Sequence, residues 1–399
     1  MYIKKPQITT LNAIANVSNL CSVLDISEEE LNQALALSDY DRYVQAKTEK
    51  NDGSFRTIHK PHYLLRKVQR RINTRIFQKI VRWPSYIFGS VPNTKDEGNN
   101  VVENKDYVSC AAQHCGAKSL LKLDIKDFFD NIDIFHVKKI FTGLFKYNCD
   151  VSNVLSDICC YRGVVVQGAL TSSYIASLCL WDEEYKIIER LQRKGLVYTR
   201  LVDDITVSSR ISNFQFDHAQ SIISKMLQDK DLPINNNKTK VFHASIEPLM
   251  VHGMRVNFKE PRYPSDEVRR LRAAVQNIEK LSSEVGYRTT FAYRKDFNRC
   301  MGRVNKLKRV KHEKHQVLIN KLNKILPLPS KTDLRRCKLA VKRLENDFNN
   351  KKESYWYKKR YYMAQDRLNV LQRTYYKTAL KLRSRLNVIK PEYDNVENA

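Results

Sequence analysis

The chain has 399 residues, 42% hydrophobic and 28% charged, with only 11 glycines and 11 prolines. Such a chain can bury real cores in about two or three domains, which excludes wholesale disorder. Seventy Lys and Arg against 43 Asp and Glu leave a net charge of +27; a polyanion relieves that self-repulsion, so nucleic acid is the expected partner, ahead of an acidic membrane or a merely solubilising surface.

In chain order, an amphipathic helical stretch is expected around Leu20 to Leu37, with Ser27 capping the acidic run Glu28-Glu29-Glu30. Residues 62–82 carry a helical stripe of Leu64, Leu65, Val68, Ile72 and Ile76. Arg66, Lys67, Arg70, Arg71 and Arg75 lie mostly on the other faces, either solvated or turned to a phosphate backbone. Ser119 to Ile125 reads as a buried strand holding an aspartate at its end. Val197–Val202 and Ile205–Ser208 flank Asp203-Asp204, which predicts a hairpin with an acidic turn.

Pro261 and Pro264 mark a boundary, after which the pattern is nearly all helical. Leu326-Pro327-Leu328-Pro329-Ser330 reads as a linker. Beyond it Leu368, Leu371, Tyr375, Ala379, Leu382 and Leu386 form a heptad-like seam. Residues 261–399 hold 35 Lys and Arg against 14 Asp and Glu, a net +21. Tyr355-Trp356-Tyr357-Lys358-Lys359-Arg360-Tyr361-Tyr362 reads as a nucleic-acid-binding helix, with Trp356 and Tyr357 stacking on bases and Lys358, Lys359 and Arg360 on phosphates. A half-buried helix with a charged rim is the plainer reading.

No run of about 18 apolar residues occurs, and Met1 to Pro6 lacks an apolar leader, so neither a membrane span nor a secretory signal is expected. The nine cysteines include no CxxC pair and are expected as reduced thiols in a cytoplasm. Cys110, His114 and Cys115 lack a second ligand pair at zinc-finger distance, which argues against zinc.

The chemistry centres on three acids. Adjacent carboxylates at a hairpin tip repel one another unless a cation sits between them and a third acid, and Asp124 is the natural third. Such a set can hold two Mg²⁺ about 3.5–4 Å apart to activate a hydroxyl and stabilise a leaving pyrophosphate.

Three segments then resemble, in order and spacing, the palm motifs of reverse transcriptases: Leu123-Asp124-Ile125-Lys126-Asp127-Phe128-Phe129, Gln167-Gly168-Ala169-Leu170-Thr171-Ser172 and Leu201-Val202-Asp203-Asp204. The resemblance implies that Asp124, Asp203 and Asp204 are catalytic. With Ile125 they would hold two Mg²⁺, for which Mn²⁺ could substitute. It makes Phe129 the gate that rejects a 2′-hydroxyl, and Gln167-Gly168 the loop lining the nucleotide site, where glycine lets the backbone approach the ligand. Phe55-Arg56-Thr57-Ile58-His59-Lys60-Pro61 resembles the fingers segment that holds the incoming dNTP, through Arg56 first and Lys60 second. Read without the resemblance, Phe129 is plain core, Gln167-Gly168 an ordinary turn, His114 a packing histidine and Cys159-Cys160 buried core.

Within the family the chain looks most like the bacterial retron-type group. Ala111-Ala112-Gln113-His114 lies where retron enzymes carry Asn-Ala-x-x-His, Val251-His252-Gly253 where they carry Val-Thr-Gly, and Cys300 to Asn305 resembles a thumb segment. Cys110 replaces that Asn and His252 that Thr; Leu201 and Val202 replace Tyr and Ala; Val166, Leu170 and Ser173 replace prolines. The resemblance spans about residues 45–325. It implies an α+β right-hand polymerase with N-terminal helices and fingers to about residue 95, palm 96–258, helical thumb 259–326 and a basic helical extension 331–399. It also implies RNA-directed DNA synthesis on a dedicated structured non-coding RNA, template and primer at once, an effector or toxin protein as a further partner, and antiphage defence without a membrane. An abortive-infection-type untemplated or protein-primed polymerase is the alternative within enzymes. A non-catalytic RNA scaffold is the alternative outside them, and the three acids argue against it.

Overall fold

The computed structural model describes residues 4–10, 13–49, 53, 55–96 and 98–391, excluding the side chain of Tyr355. Residues 392–399 of the expected extension therefore lie outside the described residues. The chain divides into two compact units, residues 1–262 and 263–399.

The first unit begins with helices α1 (Val17–Leu24) and α2 (Glu28–Leu35). Ser27 and Glu30 cap α2 reciprocally, as a serine before three glutamates predicts. Strands β1 (Tyr43–Glu49) and β2 (Phe55–Pro61) form an antiparallel hairpin. Helix α3 (Tyr63–Ile72) runs into a π-helical turn, Asn73–Phe77, and buries Leu65, Val68, Ile72 and Ile76, while Leu64 is only partly covered. Three basic residues of this segment are engaged in ion pairs with neighbouring helices. Arg71 and Arg75 pair with Asp25 at 3.0 and 2.9 Å, and Lys67 pairs with Glu30. The acids that end α1 and open α2 thus fix α3 in place.

A five-stranded sheet forms the centre. Its strands are β3 (Ile87–Phe88), β4 (Ser119–Asp124), β5 (Val197–Leu201), β6 (Asp204–Ser209) and β7 (Lys240–His243), in the order β7-β4-β6-β5-β3. All neighbours are antiparallel except β3 and β5. Leu120, Leu121 and Leu123 of β4 are buried, so the strand's apolar run is covered on both faces. Helix α4 (Tyr107–Gln113), helix α5 (Ser172–Leu178) and helix α6 (Glu184–Arg193) complete the parts that position the site; α4 and α6 pack against β5. Cys159 and Cys160 are buried core, and all nine cysteines are free.

The second unit is helical. Helices α7 (Ser265–Ser282), α8 (Phe291–Arg309) and α9 (Lys314–Lys324) enclose one core around Val275, Tyr293, Phe297, Val304 and Leu322. Helices α10 (Lys331–Lys351), α11 (Tyr355–Leu371) and α12 (Tyr376–Val388) enclose another around Val341, Leu344, Tyr361, Leu368 and Leu386. The expected heptad seam is not one helix. It breaks at residues 372–375, and Leu368 and Leu371 meet Ala379, Leu382 and Leu386 across a helical hairpin. The expected linker is pinned as well. Arg288 donates to the Leu326 carbonyl at 2.6 Å, Arg373 to that of Pro327 at 2.8 Å, and the Leu328 N–H to that of Arg288 at 2.9 Å. Ser330 and Asp333 cap α10 reciprocally, and Arg294 of α8 reaches Asp333 at 2.8 Å. Proline punctuates this segment, but its carbonyls remain acceptors that arginines use.

Candidate active site

Register places the acids. Asp204, the first residue of β6, pairs with Asp124, the last of β4, on one side and with Leu201 on the other. The hairpin loop is therefore Val202 and Asp203 alone. Val202 has φ +60°, a strained region for a β-branched residue and one that a type II′ turn ordinarily gives to glycine. Arg200 holds this turn from behind. Its guanidinium donates to the carbonyls of Val202, Ala176 and Ser177 at 3.2, 3.1 and 2.9 Å, and to both carboxylate oxygens of Glu184. All five of its N–H donors thus have partners. Arg200 is 0% exposed and Glu184 1%.

The three carboxylates sit in different company. Asp124 accepts from Lys238 Nζ at 3.0 and 3.1 Å and from Asn235 Nδ2 at 3.1 Å. Asp204 Oδ2 lies 3.3 Å from His252 Nδ1. Asp203 has its carboxyl pKa raised, first by burial and then by repulsion from Asp124 and Asp204. Lys238 is raised in turn, mainly by its hydrogen bond to Asp124 and then by the field of all three acids. Negative charge is thus in excess at the turn, and Lys238 balances part of it. A hard divalent cation suits this oxygen donor set. Among the described residues no three Asp, Glu, His or Cys side chains already converge as ligands. Lys238 supplies at Asp124 part of the positive charge that a bound cation would supply. Ile125 could contribute only its carbonyl; its side chain is buried and its N–H donates to the Asp203 carbonyl.

Beside the acids opens a cavity of about 520 Å³. Arg56, Thr57 and His59 of β2 form one wall, Asp124 to Asp130 another, and Gln167, Asp203, Asn235 and Lys238 the rest. The structure so brings together Asp124, Ile125, Asp203, Arg56, Phe129 and Gln167. Lys60, Gly168 and Asp204 do not line this cavity, although Asp204 adjoins it through its pairing with Asp124. Phe128 and Phe129 both line the cavity and both pack on the core, but Phe128 is buried whereas Phe129 is partly exposed.

Gly168 has φ +112°, and a Cβ there would lie 2.5 Å from the His59 carbonyl oxygen and 2.8 Å from Ile58 Cγ2. A close approach to the protein's own β2 strand already requires glycine here. The His59 N–H donates to the Gln167 carbonyl at 2.8 Å. From α3, Gln69 accepts the Leu170 N–H at 3.0 Å, and Asn73 reaches the Leu170 carbonyl at 2.7 Å. A proline at 170 would have no N–H to give, which accounts physically for that departure from the family pattern. Lys238, Asn235, Gln69 and Arg200 join the site with no local sequence signal of a role there. The first two lie in Asn235-Asn236-Asn237-Lys238, a polar run with no motif to mark it.

The expected nucleic-acid helix is divided by its own geometry. Tyr357 and Lys358 are buried, at 2% and 3% exposure, and the Tyr357 hydroxyl donates to the Ile389 carbonyl at 2.7 Å. Tyr357 belongs to the helix's inward stripe with Tyr361, Ala364, Leu368 and Leu371, and Lys358 beside it is covered as well, so neither is presented to a base or a phosphate. Trp356, Lys359 and Arg360 face outward; Lys359 Nζ sits 5.2 Å from the Trp356 ring centroid, and Arg360 reaches Asp347 at 3.2 Å.

Residues 48–287 match the family model described as reverse transcriptase (RNA-dependent DNA polymerase). The chain belongs to this family, and so to the right-hand polymerases that make DNA on an RNA template. Relatives within the family include retron enzymes. It is 47% identical over 390 residues to the retron Ec48 reverse transcriptase of Escherichia coli, covering 97% of this chain and 95% of that protein. It is 30% identical over 340 residues to the retron Se72 reverse transcriptase of Salmonella heidelberg, covering 84% and 86%. Against the retron Ec86 reverse transcriptase of Escherichia coli the figures are 26% over 270 residues, 67% and 79%. No helix among the described residues is long and apolar enough to cross a membrane.

Proposed function

We propose that this retron-type reverse transcriptase extends a primer hydroxyl on a dedicated structured RNA, in the bacterial cytoplasm and in the service of antiphage defence, with Asp124, Asp203 and Asp204 as its catalytic acids. The observation that carries the site is the register of β4 and β6, which sets Asp124 opposite Asp204 with Asp203 at the adjoining turn. Two Mg²⁺ held by these acids and the Ile125 carbonyl would supply an activated hydroxyl and stabilise the leaving pyrophosphate. Arg56, on the opposite cavity wall, orients the dNTP triphosphate and offsets its charge. Phe129 fills the space where a ribonucleotide would need room for its 2′-hydroxyl. Gln167 is held against β2 by the His59–Gln167 hydrogen bond and lines the nucleotide position. Lys238 neutralises Asp124 until a cation does so.

Fingers to about residue 95, palm to about 258, thumb to about 326 and a basic extension from 331 are the regions we assign. The unit boundary between Arg262 and Tyr263 supports the palm–thumb division. Trp356, Lys359 and Arg360 are the part of α11 available to the RNA. The test is to purify the full chain, sequence the nucleic acid bound to it, and supply labelled dNTPs. A single structured RNA carrying newly made DNA is expected. A random RNA population, or DNA whose sequence matches no bound RNA, contradicts the proposal.

A further inference from the structure

The two positions at which this chain departs from the retron signatures upstream and downstream of the acids, Cys110 and His252, meet in space. Cys110 Sγ lies 3.3 Å from His252 Nε2. They belong to a continuous chain of polar contacts beneath the catalytic hairpin. His252 Nδ1 is 3.3 Å from Asp204 Oδ2, Cys110 Sγ is 3.2 Å from Thr199 Oγ1, His114 Nε2 is 2.8 Å from Thr199 Oγ1, and His114 Nδ1 is 2.7 Å from Ser208 Oγ. Cys110, His114, Thr199 and Ser208 are all buried, at 4% exposure or less.

One assignment of donors satisfies every contact in the chain. In the tautomer that turns an Nδ1–H toward the Asp204 carboxylate, Nε2 of His252 is an acceptor. The one donor beside it is the Cys110 thiol, which burial keeps protonated by pushing its pKa up to about 12. The sulfur, having donated, accepts from the Thr199 hydroxyl; Thr199 accepts from His114 Nε2–H, and His114 Nδ1 accepts from the Ser208 hydroxyl. Burial holds His114 neutral, with its pKa down at about 3, so one of its nitrogens can accept. Four hydrogen bonds run in one direction from Ser208 to the His252 ring, whose Nδ1 lies 3.3 Å from Asp204 Oδ2, and such chains polarise cooperatively toward their end.

Backbone geometry supports the terminal residue. Strands β8 (Met250–Val251) and β9 (Met254–Arg255) are joined by His252 and Gly253, with φ +46° and +78°. Both central residues thus have positive φ, the pattern of a tight type I′ turn, which histidine tolerates far better than a β-branched residue. The turn therefore aims the His252 ring at Asp204 while Cys110, at the first helical turns of α4, holds its far nitrogen.

We propose that His252 is a positioning residue for Asp204, and that Cys110, Thr199, His114 and Ser208 form the buried relay that orients it. This rests on the reading of Asp204 as a metal ligand. Outer partners of such ligands tune affinity and activity by about 10–100-fold. The test uses the full chain on a primed RNA, with kcat, dNTP KM, melting temperature and Mn²⁺ binding by electron paramagnetic resonance. Glycine suits a positive φ, so His252→Gly removes the ring without straining the turn. It should lower kcat and weaken Mn²⁺ binding by about tenfold or more, leaving dNTP KM unchanged. His252→Asn keeps a donor toward Asp204 and suits the same φ, so it should retain most of both. Cys110→Ala should fall between them and add nothing further in the His252→Gly background, because it acts only through the ring. Unchanged kcat and Mn²⁺ affinity in His252→Gly, equal losses in the Gly and Asn variants, or losses that multiply in the double variant would each overturn the relay. Asp204→Asn, run alongside, separates the two readings. If it stays active, the metal assignment fails and the relay with it; if it is inactive while His252→Gly matches the parent, the relay alone fails.

Discussion

The hairpin tip at Val202-Asp203 and the first turns of α11 are both dense in functional residue types, yet they treat neighbours in opposite ways. In the sheet, strand register gathers residues from distant sequence, and Asp124 and Asp204 come opposite one another. In the helix, each residue turns about 100° from the last, so a contiguous run is scattered. Trp356 faces out at 55% exposure while Tyr357 beside it is core at 2%. Contiguity in sequence is thus poor evidence of a shared surface on a helix, whereas a strand end marked by an acid is a reliable point of convergence.

The comparison breaks most readily at Arg200. If the tip is held from behind, Arg200→Met leaves Glu184 buried without its partner and should destabilise the first unit by about 3–5 kcal/mol in chemical denaturation. A loss under 1 kcal/mol would mean that the turn supports itself. On the cavity side, Phe129→Ala should relax discrimination against ribonucleotides by roughly 10–200-fold, read as the ratio of rNTP to dNTP incorporation efficiency. An unchanged ratio would make Phe129 core like Phe128.

For the helix, adjacent substitutions should report different properties. Trp356→Ala should weaken RNA binding by about 1–3 kcal/mol with little change in stability. Tyr357→Ala should instead destabilise the second unit by about 3–5 kcal/mol. Removing Lys359 or Arg360 is the smallest effect, flattening the dependence of log affinity on log salt by about one unit each at most. If Trp356→Ala binds RNA like the parent, α11 is a brace and not an RNA-binding helix.

Much of the site was legible because polymerase chemistry needs particular residue types at strand ends. Asp124 closing an apolar run and Asp203-Asp204 between β-branched segments each carried a local signal. What escaped was set by tertiary contacts alone. Nothing around Lys238 says that it will lie on Asp124, and nothing around Arg200 says that it will be buried. Gly168 was legible as a glycine that must be one, but not for its reason, which lies in the β2 backbone more than a hundred residues earlier. In the second unit the helices were legible from periodicity. The hairpin between α11 and α12 was not, because the apolar spacing runs on through the turn.

If the three acids carry the chemistry and RNA binding lies elsewhere, one variant separates the two properties. The most direct measurement is primer extension and RNA affinity together for Asp203→Asn/Asp204→Asn. Extension should fall by about a thousandfold or more, since metal stabilisation of the transition state is worth several kcal/mol, with RNA affinity and melting temperature close to the parent's. Extension near the parent rate would contradict that role for the acids.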